Sequence, residues 1–195
     1  ISACLVGSEM CIRDSYSIDD IDLSDLRKNI GYVSQNTFLF ADTIKNNLLH
    51  GSNKYKSDED IVKACQLAES LDFIQKFPDQ FNTMLEKEGA NLSGGQAQRL
   101  SLARTFLKDP DIYIFDEATS ALDSLTEYKI MEHIDLLTQQ GKTVIIISHK
   151  LSTIKNADNI YVLNEGQVAE NGTHEKLIRL NGVYKNLWQL QMKTD

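Results

Sequence analysis

No apolar run in the 195 residues approaches the ~18–20 that a membrane-spanning helix requires, so nothing in the chain reads as a bilayer crossing. Cysteine is scarce and odd in number. Cys4, Cys11 and Cys65 lack metal-ligand spacing, which excludes a disulfide framework and points to a reducing compartment. Basic residues are also short: the formal net charge is −8, and no basic stripe offsets it, which argues against nucleic acid as a partner. Residues 1–15 have neither the basic start nor the long apolar core of a signal peptide. Ser148-His149 lies in no Gly-x-Ser-x-Gly elbow, which sets aside a serine hydrolase. What remains is ordinary globular composition, 42% hydrophobic and 25% charged. A chain of this length buries roughly 70% of its unfolded surface as one domain.

The informative stretch is Asn91-Leu92-Ser93-Gly94-Gly95-Gln96. Behind it Ala97, Leu100, Ala103, Arg104 and Leu107 recur at three-to-four spacing, the pattern of an amphipathic helix. Ser93 is placed to cap that helix, and two glycines let its first turn approach another object without a Cβ in the way. Bare N–H groups at the positive end of the helix dipole make such a tip an anion site. Asp109-Pro110 stops the helix, and Asp111 to Phe115 reads as a buried strand ending in Asp116 and Glu117. A second strand, Thr143 to Ile147, reads as buried too and ends in Ser148-His149. In an open parallel α/β sheet, ligands bind at the carboxyl ends of the strands, so two acids and an imidazole are expected at one sheet edge.

Leu92-Ser-Gly-Gly-Gln96, Phe115-Asp-Glu-Ala-Thr-Ser-Ala-Leu-Asp123 and Ile147-Ser-His-Lys-Leu-Ser-Thr-Ile154 closely resemble, in order and spacing, the nucleotide-binding domain of ATP-binding-cassette (ABC) transporters. They are similar to its signature motif, its Walker B strand with the following D-loop, and its switch-histidine loop. The resemblance runs from about Tyr16 to the C-terminus. It implies a P-loop NTPase-type α/β fold, a parallel sheet flanked by helices, with an inserted helical subdomain at about 36–107 and a catalytic core at about 16–35 and 108–195.

The resemblance also implies roles. Asp116 orients Mg²⁺ through its water shell, and Glu117 is the general base for the water that attacks the γ-phosphate of ATP. Gln35, at the end of the strand Ile30 to Ser34, is the Q-loop glutamine, whose amide oxygen reaches Mg²⁺ and positions that water. His149 is the switch histidine. Ser93, Gly94, Gly95 and Gln96 cap an ATP held mainly by a second nucleotide-binding domain, head to tail, and Asp123 lies at the same interface. The loop 36–41 faces a coupling helix of a transmembrane domain, which places the domain at the cytoplasmic face of a membrane. Asp-Glu-Ala-Thr, and the tail from His149 to Trp188, are similar to exporters. The alternatives are a soluble ATPase of the superfamily, for which long coiled-coil or basic insertions are expected, and a catalytically incompetent fragment that only docks on an intact partner.

Elsewhere, Ile18 to Leu23 reads as an edge strand or turn, Ser24 to Lys28 as a helical turn, and Thr43 to Leu49 as a helix. Ser57 with Asp58, Glu59 and Asp60 opens a helix through roughly Lys76, with Ile61, Ala64, Cys65, Ala68 and Leu71 on its buried face and Pro78 after it. Glu86 to Gly89 reads as a solvated loop. Asn164-Glu-Gly166 reads as a turn before a return strand, Gln167 to Glu170, and a closing helix runs from about Gly172 to Trp188. Residues 1–15 fit none of the family pattern and read as a non-native leader. No Gly-x-x-x-x-Gly-Lys-Ser/Thr phosphate loop occurs in the chain, so weak ATP binding by this polypeptide alone and an exposed apolar sheet edge are expected.

Overall fold

The computed structural model describes residues 21–52 and 55–193, together with the backbone of 12–13 and 16–17. Apart from the backbone of 12–13, the expected leader lies outside the described residues, as does most of the acidic stretch at Ile18. The chain divides into two compact units, Ile1–Ile145 and Ile146–Asp195.

In the first unit, β1 (Ile12–Arg13) and β2 (Tyr16–Ser17) pair antiparallel. Helix α1 (Leu23–Asn29) starts where the Asp22 carboxylate accepts the Ser24 N–H, and it runs directly into β3 (Ile30–Val33). Lys108 Nζ donates to the Arg27 and Ile30 carbonyls at that junction. Thr43 caps α2 (Ile44–Leu49) through the Asn46 N–H, and Ser57 and Asp60 form a reciprocal capping box on α3 (Asp58–Leu67).

The helix expected to continue to Lys76 breaks. Glu69 takes a left-handed φ of 51°, and the Ser70 N–H and hydroxyl both turn back onto the Cys65 carbonyl, so α4 (Leu71–Ile74) starts afresh. Cys65 is fully buried as expected, and burial pushes its thiol up to about 11, which leaves it inert. Two short 3₁₀ turns follow, Gln80–Asn82 and Lys87–Gly89, the latter replacing the expected loop.

The scaffold of this unit is α5 (Gly94–Lys108), against which α2, α3 and β3 all pack. Its burial runs further round than the sequence pattern suggests: Leu102, Thr105 and Phe106 are enclosed along with Leu100, Ala103 and Leu107. Phe106 meets the rings of Tyr113 and Phe115 on β4 (Ile112–Asp116), each at 6.3 Å. Asp109, in the left-handed region at φ 52°, and Pro110 end the helix.

β3 and β4 pair in parallel, Ile30 opposite Ile112 through Val33 opposite Phe115. After β4 the chain returns through α6 (Ser124–Gln139) to β5 (Thr143–Ile147), giving the order β3-β4-β5. β5 is not buried as the sequence suggested. It ends the sheet among the described residues, and Ile145 and Ile147 remain 47% and 45% exposed. Among the described residues β5 is thus an apolar sheet edge.

In the second unit, α7 (Leu151–Ile154) leads to an antiparallel hairpin of β6 (Ile160–Asn164) and β7 (Gln167–Gly172). Its two-residue turn, Glu165-Gly166, has φ of 50° and 77°, the primed geometry that matches strand twist. The closing helix is in fact two, α8 (His174–Leu180) and α9 (Val183–Gln191), parted at Asn181 with φ 54°. The Glu170 carboxylate accepts the Val183 and Tyr184 N–H groups at the start of α9. The core of this unit gathers Leu151, Ile160, Val162, Leu177 and Tyr184. No helix among the described residues is long and apolar enough to cross a membrane.

The β3–α5 contact makes a specific demand. A Cβ on Gly31 would stand 2.7 Å from both Pro110 Cγ and Thr105 Cγ2. Gly31→Ala is expected to lower stability by about 1–3 kcal/mol, read as a lower urea midpoint with an unchanged slope.

Candidate functional site

The site is assembled by the parallel register of two strands. With Val33 opposite Phe115, the residues after β3 and the acids at the end of β4 emerge side by side. Tyr32 donates its hydroxyl to Asp116 Oδ2 at 2.9 Å, and Gln35 Nε2 donates to Glu117 Oε2 at 2.7 Å. Donation to Asp116 raises the Tyr32 pKa above its ordinary value. Gln35 thus meets Glu117 through its amide N–H₂, not through the oxygen that the resemblance assigns to a metal.

The loop bearing Gln35 is itself tied down. Buried Asn47 accepts the Phe40 N–H and donates to the carbonyls of Phe40, Asp42 and Thr43. From α5, Arg104 reaches the Phe38 carbonyl.

Glu117 leaves the strand in the left-handed region, φ 49°. For a residue with a Cβ this conformation costs of order 1–3 kcal/mol, so its surroundings must hold it. Its carbonyl accepts the Ser120 N–H and Gln98 Nε2, both at 3.1 Å. The same Gln98 amide accepts the Ala121 N–H at 3.1 Å, and its side chain is 2% exposed. The Thr119 hydroxyl donates to buried Glu127, which fixes the loop from α6. Asp123 caps α6: the Thr126 N–H and hydroxyl both bond its carboxylate and hold it below the usual carboxylate range.

At the tip of α5, Ser93 caps the helix as expected and forms a reciprocal box with Gln96, whose side-chain oxygen accepts the Ser93 N–H. The two glycines differ. A Cβ on Gly94 would meet nothing closer than the Ala121 Cβ at 3.8 Å, whereas one on Gly95 would stand 2.9 Å from the Ala121 carbonyl oxygen. Gly94 is exposed, and Gly95 is the point where the loop after Glu117 rests on the helix. The first-turn N–H groups there precede the helical ladder and lie at the positive end of its dipole.

His149 belongs to the second unit, two residues beyond β5. It is exposed, and its backbone carbonyl accepts Gln191 Nε2. Among the described residues no three His, Cys, Asp or Glu side chains cluster as a metal cage. Mg²⁺ asks for less, one or two hard oxygen ligands with water and substrate phosphate, and the half-buried Asp116 carboxylate beside Glu117 fits that donor set.

Sequence reasoning missed Tyr32, Gln98, Asn47 and Glu127. Gln98 alone carried a legible signal, a carboxamide one turn inside the helix that the Ser-Gly-Gly tip opens. The tripeptide Gly141-Lys142-Thr143 does spell the end of a phosphate-loop motif, but Leu136 stands where its first glycine belongs. It enters β5 rather than following a strand, and Lys142 pairs with Asp109 and Asp111 at 3.1 and 3.4 Å.

The ABC transporter family profile matches residues 2–120. An ATP-dependent lipid A-core flippase of Haemophilus influenzae (strain 86-028NP) is 46% identical over 180 residues, 92% of this chain and 30% of that protein. A second, from Syntrophus aciditrophicus (strain SB), is 44% identical over 190 residues, 97% of this chain and 31% of that protein. Among solved structures, a bacterial Atm1-family ABC exporter with ATP bound superposes with a TM-score of 0.88 at 38% identity, covering 93% of this chain and 32% of the other. The chain therefore spans about a third of the length of these relatives.

The unequal packing of the glycines predicts unequal tolerance. Gly95→Ala is expected to lose about 1–3 kcal/mol as Ala121 is displaced, and Gly94→Ala to change stability by less than about 1 kcal/mol, both read by urea denaturation.

Proposed function

Because the chain belongs to the ABC transporter family, we propose that it is the ATP-hydrolysing portion of an exporter-type transporter, with Glu117 as general base. What carries the reading is the pairing of the Gln35 amide with the Glu117 carboxylate at 2.7 Å, beside Asp116, at the strand ends of a parallel α/β sheet.

Glu117 takes the proton of the water that attacks the γ-phosphate, and Gln35, already bonded to that carboxylate, orients base and water together. A positioned base contributes ~10²–10⁴ in rate, roughly 3–5 kcal/mol of barrier. Asp116 would hold Mg²⁺ through water, and the bound ion would supply positive charge against the charge that builds up on the phosphates. His149 takes the switch-histidine role that its motif Ile147 to Ile154 resembles. Ser93, Gly94 and Gly95 present the tip of α5 to a nucleotide on a second nucleotide-binding domain. Gln96 fixes that tip, and Asp123 lies at the same head-to-tail interface. The loop 36–41 meets a transmembrane domain at the cytoplasmic face. Residues 36–107 act as the helical subdomain and 16–35 with 108–195 as the catalytic core.

One sequence fact favours a second reading. With no complete phosphate-loop motif, the chain acts only by docking on an intact partner, its own ATP binding being weak. ATPase assays of the chain alone, and after adding an intact nucleotide-binding domain, separate the two. Stimulation that falls ~10²–10⁴-fold in Glu117→Gln, with nucleotide binding retained, supports the catalytic reading. Turnover unaffected by that substitution refutes it, and stimulation absent in both forms leaves docking.

A further inference from the structure

Gln98 lies one turn inside the tip of α5, four residues from Gly94 and three from Gly95, and so on the face those glycines share. That face carries the loop 117–121. Gly95 admits the Ala121 carbonyl, and the Gln98 carboxamide bonds the loop at both ends: Nε2 donates to the Glu117 carbonyl, and Oε1 accepts the Ala121 N–H. The amide is enclosed, so neither end turns to water. Its orientation is also fixed. Reversed, its N–H₂ would face a donor and its oxygen would face a carbonyl, two repulsions in place of two bonds.

Glu117 is the left-handed residue of this segment, and its side chain already carries the Gln35 bond. Holding the Glu117 carbonyl fixes the peptide from which that side chain departs.

We infer that Gln98 is a positioning residue: its buried carboxamide clamps the backbone at Glu117 and Ala121 to the helix that carries the Ser93 tip, and so keeps the Glu117 carboxylate on Gln35. The inference deepens the catalytic reading above, because a displacement of α5 on seating against a partner's nucleotide is passed through the Gln98 carboxamide to the Glu117 backbone. A residue that merely fills the core would lower stability without disturbing Gln35.

The test uses the full chain without nucleotide, so its result is independent of whether Glu117 serves as a base. In the unsubstituted protein, slow exchange of the Ala121 N–H is expected although the residue is exposed, and the Gln35 side-chain amide should give a distinct, dispersed pair of NMR signals. Gln98→Met removes both arms. It should speed Ala121 exchange roughly tenfold and collapse the Gln35 signals toward those of a free glutamine, with the amides of Leu102 and Phe106 unchanged. Gln98→Glu keeps an acceptor for Ala121 and loses the donor for Glu117, so it should retain Ala121 protection and still release Gln35. Fast Ala121 exchange in the unsubstituted protein overturns the proposal. So do unchanged Gln35 signals in a folded Gln98→Met. Should Gln98→Met fail to fold, unchanged Gln35 signals in Gln98→Glu overturn it equally.

Discussion

Two parallel strands in one register, Val33 against Phe115, are the constraint on which the first unit depends. The register decides that a residue two past the end of β3 reaches a carboxylate one past the end of β4. A shift of one residue would turn Tyr32 away from Asp116 and bury what is now exposed. The register is in turn held from the helix layer, where Phe106 lies against Tyr113 and Phe115, and Thr105 and Pro110 close on Gly31. Packing at the start of β3 thus sets chemistry at its end.

The same helix serves the site at its other end. α5 supplies apolar side chains to the sheet, Arg104 to the loop beyond Gln35, and Gln98 to the loop beyond Glu117. Strain at Glu117 is tolerable because its carbonyl has two donors, one local and one from the helix. The polar atoms enclosed around it are bonded to each other rather than left bare, as burial requires.

Much of this was legible in the residues, and the exceptions have physical causes. Ser93 as a cap, β3, β4 and β5 as strands, and Cys65 as a core residue follow from spacing and local propensity, which the sequence displays directly. The breaks at Glu69 and Asn181 were invisible, because a left-handed residue other than glycine leaves little trace until tertiary contacts select it. The exposure of β5 was misread from its Val-Ile-Ile-Ile run, since apolar composition signals a wish for burial and not its fulfilment. The site divides along the same line. The acids, Gln35 and the glycines were readable as types in order. That Gly95 touches Ala121 while Gly94 does not, and that Gln35 offers nitrogen to Glu117, depend on three-dimensional neighbours that no spacing encodes.

β5 carries a practical consequence for anyone handling the molecule. Its five residues hold no charge and no proline, the two devices by which natural sheets blunt a terminal strand, and no strand among the described residues pairs with its outer side. Two copies meeting there could zip together and continue the ladder from one molecule into the next. Such pairing is bimolecular, so its extent rises with the concentration of the polypeptide.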